Sequence, residues 1–356
     1  MSFQRAYRSL AAIGIAVALV AGACSSAATP APSAAAAAAS LGAGFVATGQ
    51  PPMGDARLIK SPSDLNIASF HGGSNNTYLQ ANIKSVQDTA TTIGAKVHIF
   101  DANFDTGTME NQAETALTQG YNAWVFGALD PNQSCNVVKQ AIAKGIIVSV
   151  QNQSLCGNQT YTPGTLTFVG GQTRDVYDNF LSYSFSHTKT GAVAVLTGPA
   201  LNYNTNQMLG ALAEYQPQYP DIKVVANQQL DYTTETAFKA AQDIIQANPN
   251  LVAILSNYSG MTQGVVQAVK QAGKSGSIAV YDMGGNQWAV QAVKDGDVAM
   301  TIPFLPVQET GLAVQALADY ASGKTVPTYY NLAQQLTFPG APYVTKDNAG
   351  QFTAQY

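Results

Sequence analysis

The chain has 356 residues, of which 11% are charged, and a formal net charge of -4. That charged fraction, against about 25% in ordinary domains, leaves Asn, Gln, Ser, Thr and Tyr to carry the polar chemistry, and the lack of a basic excess argues against nucleic acid as a partner. The length beyond residue 60 suffices for two lobes of ordinary domain size, and the composition suits a neutral, hydrogen-bonding ligand better than a charged one.

Arg5 and Arg8 precede an apolar run over residues 10–20, followed by Ala21-Gly22-Ala23-Cys24. A short positive segment, an apolar stretch of this length and small residues at its end form a secretory signal. The run is shorter than the roughly 20 apolar residues a spanning helix needs. Cys24 directly after the small residues resembles a bacterial lipobox, with Ala21 where Leu or Val is usual. Residues 1–24 are therefore expected to be a lipoprotein signal peptide with Cys24 lipidated; the alternative is a plain secreted protein with an incidental Cys24. Residues 25–60 are rich in Ala, Ser, Pro and Gly and have too few large apolar side chains to repay ordering. They read as a disordered tether to a body outside the cytoplasmic membrane, at the cell surface or in the periplasm. Cys135 and Cys156 are the remaining cysteines. An even pair in a secreted body is expected to be bridged, the alternative being two reduced buried thiols.

From residue 65 onward, β-rich runs alternate with amphipathic ones. Strands are expected at 65–70, 96–100, 123–127 and 145–150, with helices at 76–93, 108–119 and 132–144 between and after them. The second half repeats the scheme. Its strands are expected at 166–169, 192–196, 223–227, 251–256, 278–281 and 298–302. Its helices are expected at 174–187, 206–215, 234–247, 261–272, 287–294 and 308–321. Near-continuous apolar strands alternating with helices imply parallel sheets covered on both faces. The expected fold is α/β: two doubly wound parallel-sheet lobes joined by a multi-strand hinge. The N-terminal lobe would take 61–168 plus 303–330, and the C-terminal lobe 169–302 plus 331–356. Gly170-Gly171 and Pro303 suit hinge duty.

In open α/β sheets, ligands sit beyond the carboxyl ends of the strands. There the sequence has segments such as Asp101-Ala102-Asn103, Gln151-Asn152-Gln153, Asp231-Tyr232, Asn257-Tyr258 and Asp282-Met283-Gly284. Amide, carboxylate and aromatic groups dominate there, offering fixed donors and acceptors for hydroxyls, and flat faces for C–H-rich surfaces. Any one of these residues could equally be a helix cap or turn former; their concentration at successive strand ends points to a site.

Several motifs then recur in order. They are Asn75-Asn76-Thr77-Tyr78 after the opening strand, Asp101-Ala102-Asn103, Met261-Thr262-Gln263-Gly264, Val280-Tyr281-Asp282, Asp295-Gly296 with Thr301-Ile302, and Leu305-Pro306. On these, residues 64–332 resemble the type I sugar-binding proteins of bacterial ABC importers, the ribose- and galactose-binding group. The resemblance implies a lipoprotein-type solute receptor that takes a sugar between its lobes and presents it to a permease with its ATPase. It implies ligand contacts at Asn76, Tyr78, Gln151, Asn152, Gln207, Tyr232, Asn257, Asp282 and Phe304. Of these, Asp282 would be the carboxylate that accepts sugar hydroxyls. Where the family has an Asp-Arg pair and a helix Arg, this chain has Gln151-Asn152 and Gln207, and Phe304 replaces a final Gln. Charge-assisted hydrogen bonds are about twice as strong as neutral ones. The departures therefore favour a neutral ligand, a polyol or a methylated, deoxy or less polar sugar, over sugar acids and phosphorylated sugars.

An enzyme is not expected. None of His71, His98 and His187 has metal-ligand spacing, and no nucleophile elbow or phosphate loop appears. No metal or cofactor is expected, and the body reads as a monomer. His71 is a candidate rim contact or a turn residue, and Trp288 a stacking face or a packing residue. The same fold also serves sugar or quorum-signal sensors that dock on a receptor kinase, which stays as the alternative to transport. A DNA-binding repressor is disfavoured by the signal and by the lack of a helix-turn-helix head.

Overall fold

The computed structural model describes residues 59–200 and 202–356. The signal segment with Cys24 and all but the last two residues of the 25–60 tether lie outside the described residues.

Two sheets of six strands organise the body. The first takes β1 (Asn66–His71), β2 (Lys96–Asp101), β3 (Ala123–Phe126), β4 (Ile147–Gln151), β5 (Thr167–Gly170) and β11 (Tyr329–Asn331), in the spatial order β11-β5-β4-β3-β1-β2. All its pairings are parallel. The second takes β6 (Gly191–Thr197), β7 (Ile222–Gln229), β8 (Leu251–Ser256), β9 (Ala279–Gly284), β10 (Met300–Pro303) and β12 (Val344–Thr345), in the order β12-β10-β9-β8-β6-β7. Only β12 runs antiparallel to its neighbour.

The helices are α1 (Thr77–Ile93), α2 (Thr106–Ala116), α3 (Cys135–Ala143), α4 (Arg174–Thr188), α5 (Tyr203–Tyr215), α6 (Thr234–Ala247), α7 (Ser259–Gln271), α8 (Gln287–Asp295) and α9 (Pro306–Ala321). Side chains alternate across a strand, and both sheets bury both faces. Val125 of β3 packs in a core with Leu312 and Leu317 of α9. Its neighbours Trp124 and Phe126 face the other way, against Met109 of α2 and Val137 of α3. In the second sheet Ala194 and Leu196 face α6 and α7, whereas Val193 and Val195 face Tyr177, Phe180 and Met208. Two-sided burial is why these strands read as continuous apolar runs rather than alternating ones. Each large side chain so buried contributes about 1.5–3 kcal/mol.

The chain passes between the sheets three times: at 171–173 after β5, at 304–305 after β10, and from β11 toward β12. The second passage feeds α9. Its N-cap, Leu305, has no side-chain acceptor, and Pro306 removes one orphan N–H. Gln355 Oε1 accepts from Val307 N at 2.9 Å and Gln308 N at 3.4 Å, so the last residues of the chain cap this helix. Asn82 and Ser85 of α1 then fasten it by donating to the Pro306 and Val307 carbonyls. Cys135, at the start of α3, is joined to Cys156 in the loop after β4 by a disulfide.

Three boundaries differ from expectation in ways that matter below. Helix α5 starts at Tyr203 rather than residue 206, because Asn202 Oδ1 caps the Asn204 and Thr205 N–H groups. Strand β9 runs to Gly284 rather than stopping at 281, pairing Asp282 with Ser256 and Thr301. Strands β11 and β12 were not anticipated; at three and two residues they are too short for a pattern.

Candidate functional site

A cavity of about 100 Å³ lies where the carboxyl ends of the two sheets face each other. From the first lobe it is lined by Asn76, Tyr78 and Leu79 at the start of α1, by Phe104 after β2, by Gly127-Ala128-Leu129 after β3, and by Gln151-Asn152-Gln153 after β4. Gln172 enters from the first passage between the lobes. The second lobe supplies Asn202 and Asn204 at the start of α5, Tyr232 after β7, Asn257-Tyr258 after β8, and Phe304 after β10. Among the described residues, no lining side chain is Asp, Glu, Lys, Arg or His.

Local backbone chemistry sets these positions. Asn76 caps α1, its Oδ1 accepting from Leu79 N at 2.9 Å. Tyr232 donates to Asn202 Oδ1 at 3.0 Å. A β-carbon on Gly198 would lie 1.9 Å from the Tyr232 ring, and one on Gly127 would lie 2.0 Å from Gln151 Nε2. Glycine at both positions lets those side chains reach the cavity. Asn152, Tyr232 and Phe104 adopt φ of 68°, 65° and 59°. Left-handed backbone at residues with a β-carbon is strained and concentrates at functional sites.

Several buried polar atoms at the cavity have no hydrogen-bond partner among the described residues: Gln151 Oε1, Gln153 Oε1, Asn204 Oδ1, and both amide atoms of Asn257. Each such group costs about 1–3 kcal/mol if left unpaired. A hydroxyl-bearing molecule would pair them, since a hydroxyl both donates and accepts.

Behind them sits a group that the sequence analysis missed. The Tyr78 ring is buried, edge-on to Phe304 at 6.2 Å and to Tyr356 at 5.6 Å. Its hydroxyl donates to the buried Glu309 carboxylate. It accepts from Asn152 Nδ2 at 2.8 Å and Gln172 Nε2 at 2.9 Å. Burial pushes the Glu309 carboxyl up to about 7. Burial, and then the charge of Glu309, pushes the Tyr78 phenol well above its ordinary range. The available signal was a carboxylate on the inward stripe of α9, in register with Leu312, Ala313, Ala316 and Leu317.

Seven of the residues singled out by sequence thus line one cavity: Asn76, Tyr78, Gln151, Asn152, Tyr232, Asn257 and Phe304. Two expectations are corrected. Asp282 does not line the cavity. It lies inside β9, fully buried. It accepts from Ser259 Oγ at 2.8 Å, from Thr301 Oγ1 at 2.5 Å, and from Thr262 Oγ1. Burial raises its carboxyl to about 6 against those hydrogen bonds, making it a structural hub. Gln207 is also outside the lining, because the earlier start of α5 puts Asn204 at the cavity and Gln207 a turn further on. Neither His71 nor Trp288 reaches the cavity. His71 is buried against Ser69 Oγ at 2.8 Å, and Trp288 packs on the second-lobe core.

Two doubly wound lobes around a shared cavity with unpaired amides define a bilobal small-molecule receptor. Residues 68–325 match the periplasmic binding protein domain, and the chain belongs to that family. The D-allose-binding periplasmic protein of Escherichia coli (strain K12) is 30% identical over 255 residues, 68% of this chain and 81% of that protein. The ribose import binding protein RbsB of Bacillus subtilis (strain 168) is 24% identical over 256 residues, 71% of this chain and 80% of that protein. An ABC transporter periplasmic solute-binding protein of Actinobacillus succinogenes 130z, solved with bound D-allose, superposes with a TM-score of 0.69 at 23% identity. That match covers 81% of this chain and 100% of the other, and shows the shared fold. These relatives are binding proteins, and this chain is likewise not an enzyme.

Proposed function

We propose that the protein captures a neutral sugar or polyol between its lobes and delivers it to an ABC permease with its ATPase. The carrying observation is a cavity whose lining, among the described residues, has no charged side chain and is edged by buried amide atoms without partners there. The relatives' names support a sugar-like ligand, D-allose for one and ribose for another. Gln151-Asn152 and Phe304 stand where the ribose-binding group carries charged and amide contacts, so the ligand is set apart from ribose itself. Contacts from both lobes exist together only when the lobes are closed, so binding favours closure. The lobe junctions are proposed at 170–173, 303–306 and 331–344, where the chain leaves one sheet for the other. Lipidation of Cys24 and a tether over 25–60 would hold the monomeric body at the outer face of the cytoplasmic membrane.

The test is a thermal-shift screen of the purified protein against neutral sugars, polyols and cyclitols. A true ligand at 100 times its Kd adds about 2.7 kcal/mol of stability. A response confined to charged metabolites refutes the reading.

A further inference from the structure

We propose that the cavity has an apolar end, formed by Phe104 and Leu129, which selects a hydroxylated ligand carrying a deoxy or alkylated carbon over its fully hydroxylated counterpart. This rests on the neutral-sugar or polyol reading of the cleft and names the ligand class within it.

Two adjacent glycines build that end. A β-carbon on Gly72 would lie 2.7 Å from Leu129 Cδ2, and one on Gly73 would lie 2.5 Å from Phe104 Cε2. The loop after β1 therefore carries bare backbone where the two side chains close in, Leu129 from the β3 side and Phe104 from the β2 side. Both line the cavity. Phe104 is 46% exposed, one of two large apolar side chains so exposed among the described residues. It is also held in the left-handed region at φ 59°, after Asn103 at φ 48°. A β-carbon penalises that conformation. Hydrogen bonds enforce it, with Phe104 N donating to Gly72 O at 2.7 Å and Asn103 N donating to Asp101 Oδ1 at 2.8 Å. Core packing does not explain a strained backbone that presents a half-exposed ring. A ligand surface against that ring does.

In the first sheet Phe104 follows the edge strand β2 and Leu129 follows β3, on either side of β1, whereas the amides of Gln151 and Gln153 lie at and after the end of β4, beyond β3. Strands lie about 4.8 Å apart, so β2 and β4, three positions apart in the sheet, end about 14 Å from each other. The carboxylates beside this end are each taken up by their own loops: Asp101 accepts from Ser74 Oγ at 2.6 Å and from Asn103 N, Asp105 accepts from Thr108 N as the cap of α2, and Asp130 accepts from Asn132 N at 2.9 Å and Gln133 N at 3.0 Å. A ligand hydroxyl placed against Phe104 and Leu129 gains no partner from those side chains, whereas a methyl or methylene there covers apolar surface that is otherwise exposed.

Calorimetric titration of the purified protein with sugars paired to differ at one carbon tests this. The pairs are L-fucose against L-galactose, L-rhamnose against L-mannose, 6-deoxy-D-glucose against D-glucose, and methyl β-D-ribofuranoside against D-ribose. The expected result is a deoxy or methylated member binding about tenfold or more tighter than its partner, the scale of one group in an apolar pocket. Phe104→Ala and Leu129→Asn should erase that preference. The ligand-free melting temperature of Phe104→Ala should stay at or above the parent's, which a packing role for the ring would not allow. Equal or tighter binding of the hydroxylated partners, or a preference that survives Phe104→Ala, overturns the apolar end and leaves the neutral-ligand reading standing. Silence of all pairs and of the wider neutral screen, with a response to charged metabolites, overturns both.

Discussion

Glu309 concentrates the electrostatic cost of the site. Its carboxyl is held at about 7 against an ordinary 4.5, and Asp282 is held at about 6 against an ordinary 3.8, burial being the first cause for both. The folded state therefore keeps protons that the unfolded chain has released. The sign follows: stability from these two groups is full below their unfolded values and is lost as pH rises through about 6 and 7. The melting temperature is expected to be higher at pH 5 than at pH 8. Glu309→Gln, which keeps the size and one acceptor for Tyr78 without a titrating group, should flatten the upper part of that slope. Calorimetric scans of both proteins across pH check this; an unchanged slope in the variant would show that Glu309 is ionised throughout.

At the scale of single elements, loop glycines decide where functional side chains point. Gly198 follows β6, and a β-carbon there overlaps the Tyr232 ring. Gly198→Ala is expected to displace Tyr232 and weaken ligand binding at least tenfold while leaving the two-lobe fold intact, read by titration and far-ultraviolet dichroism. The disulfide works on the loop between β4 and β5 and on the start of α3. It closes a span with a sequence separation of 21. A loop of that size is worth about 3 kcal/mol in the chain-entropy account. Denaturant unfolding of the Cys135→Ser/Cys156→Ser double variant should show a loss of that order, with ligand affinity nearly preserved because neither sulfur lines the cavity. Helix α9 teaches a related lesson. It lacks a local cap and takes Gln355, about fifty residues on, to satisfy its first N–H groups.

For the whole molecule, Tyr78 joins the lobes. It belongs to α1, yet it falls in the second-lobe core cluster with Val176, Tyr177 and Met283, its ring edge-on to Phe304. The proposed opening of the lobes would withdraw it from that cluster. Small-angle scattering is expected to show a smaller radius of gyration with saturating ligand than without, and Tyr78→Ala should enlarge the ligand-free form. A radius that ligand leaves unchanged would refute lobe closure as the response to binding.

The alternation of strands and helices was legible because parallel strands buried on both faces must be apolar throughout, a local property written residue by residue. The position of the site was legible for the same reason, since strand ends locate it before any contact is known. Seven lining residues followed from that rule together with a family resemblance. Asp282 was misplaced because nothing local marks where β9 ends: pairing with β8 and β10 carries the strand three residues past the apolar run and buries the carboxylate under three hydroxyls. Glu309 and Phe104 were passed over because their roles arise from partners 231 residues away in one case and from a neighbouring glycine loop in the other. Sequence alone determined the periodicities, the turns and the amide and aromatic chemistry of the cleft. Tertiary structure decided which strand-end side chains face the cavity and which are spent on the fold, because that choice depends on register and on contacts between lobes that no short stretch of chain contains.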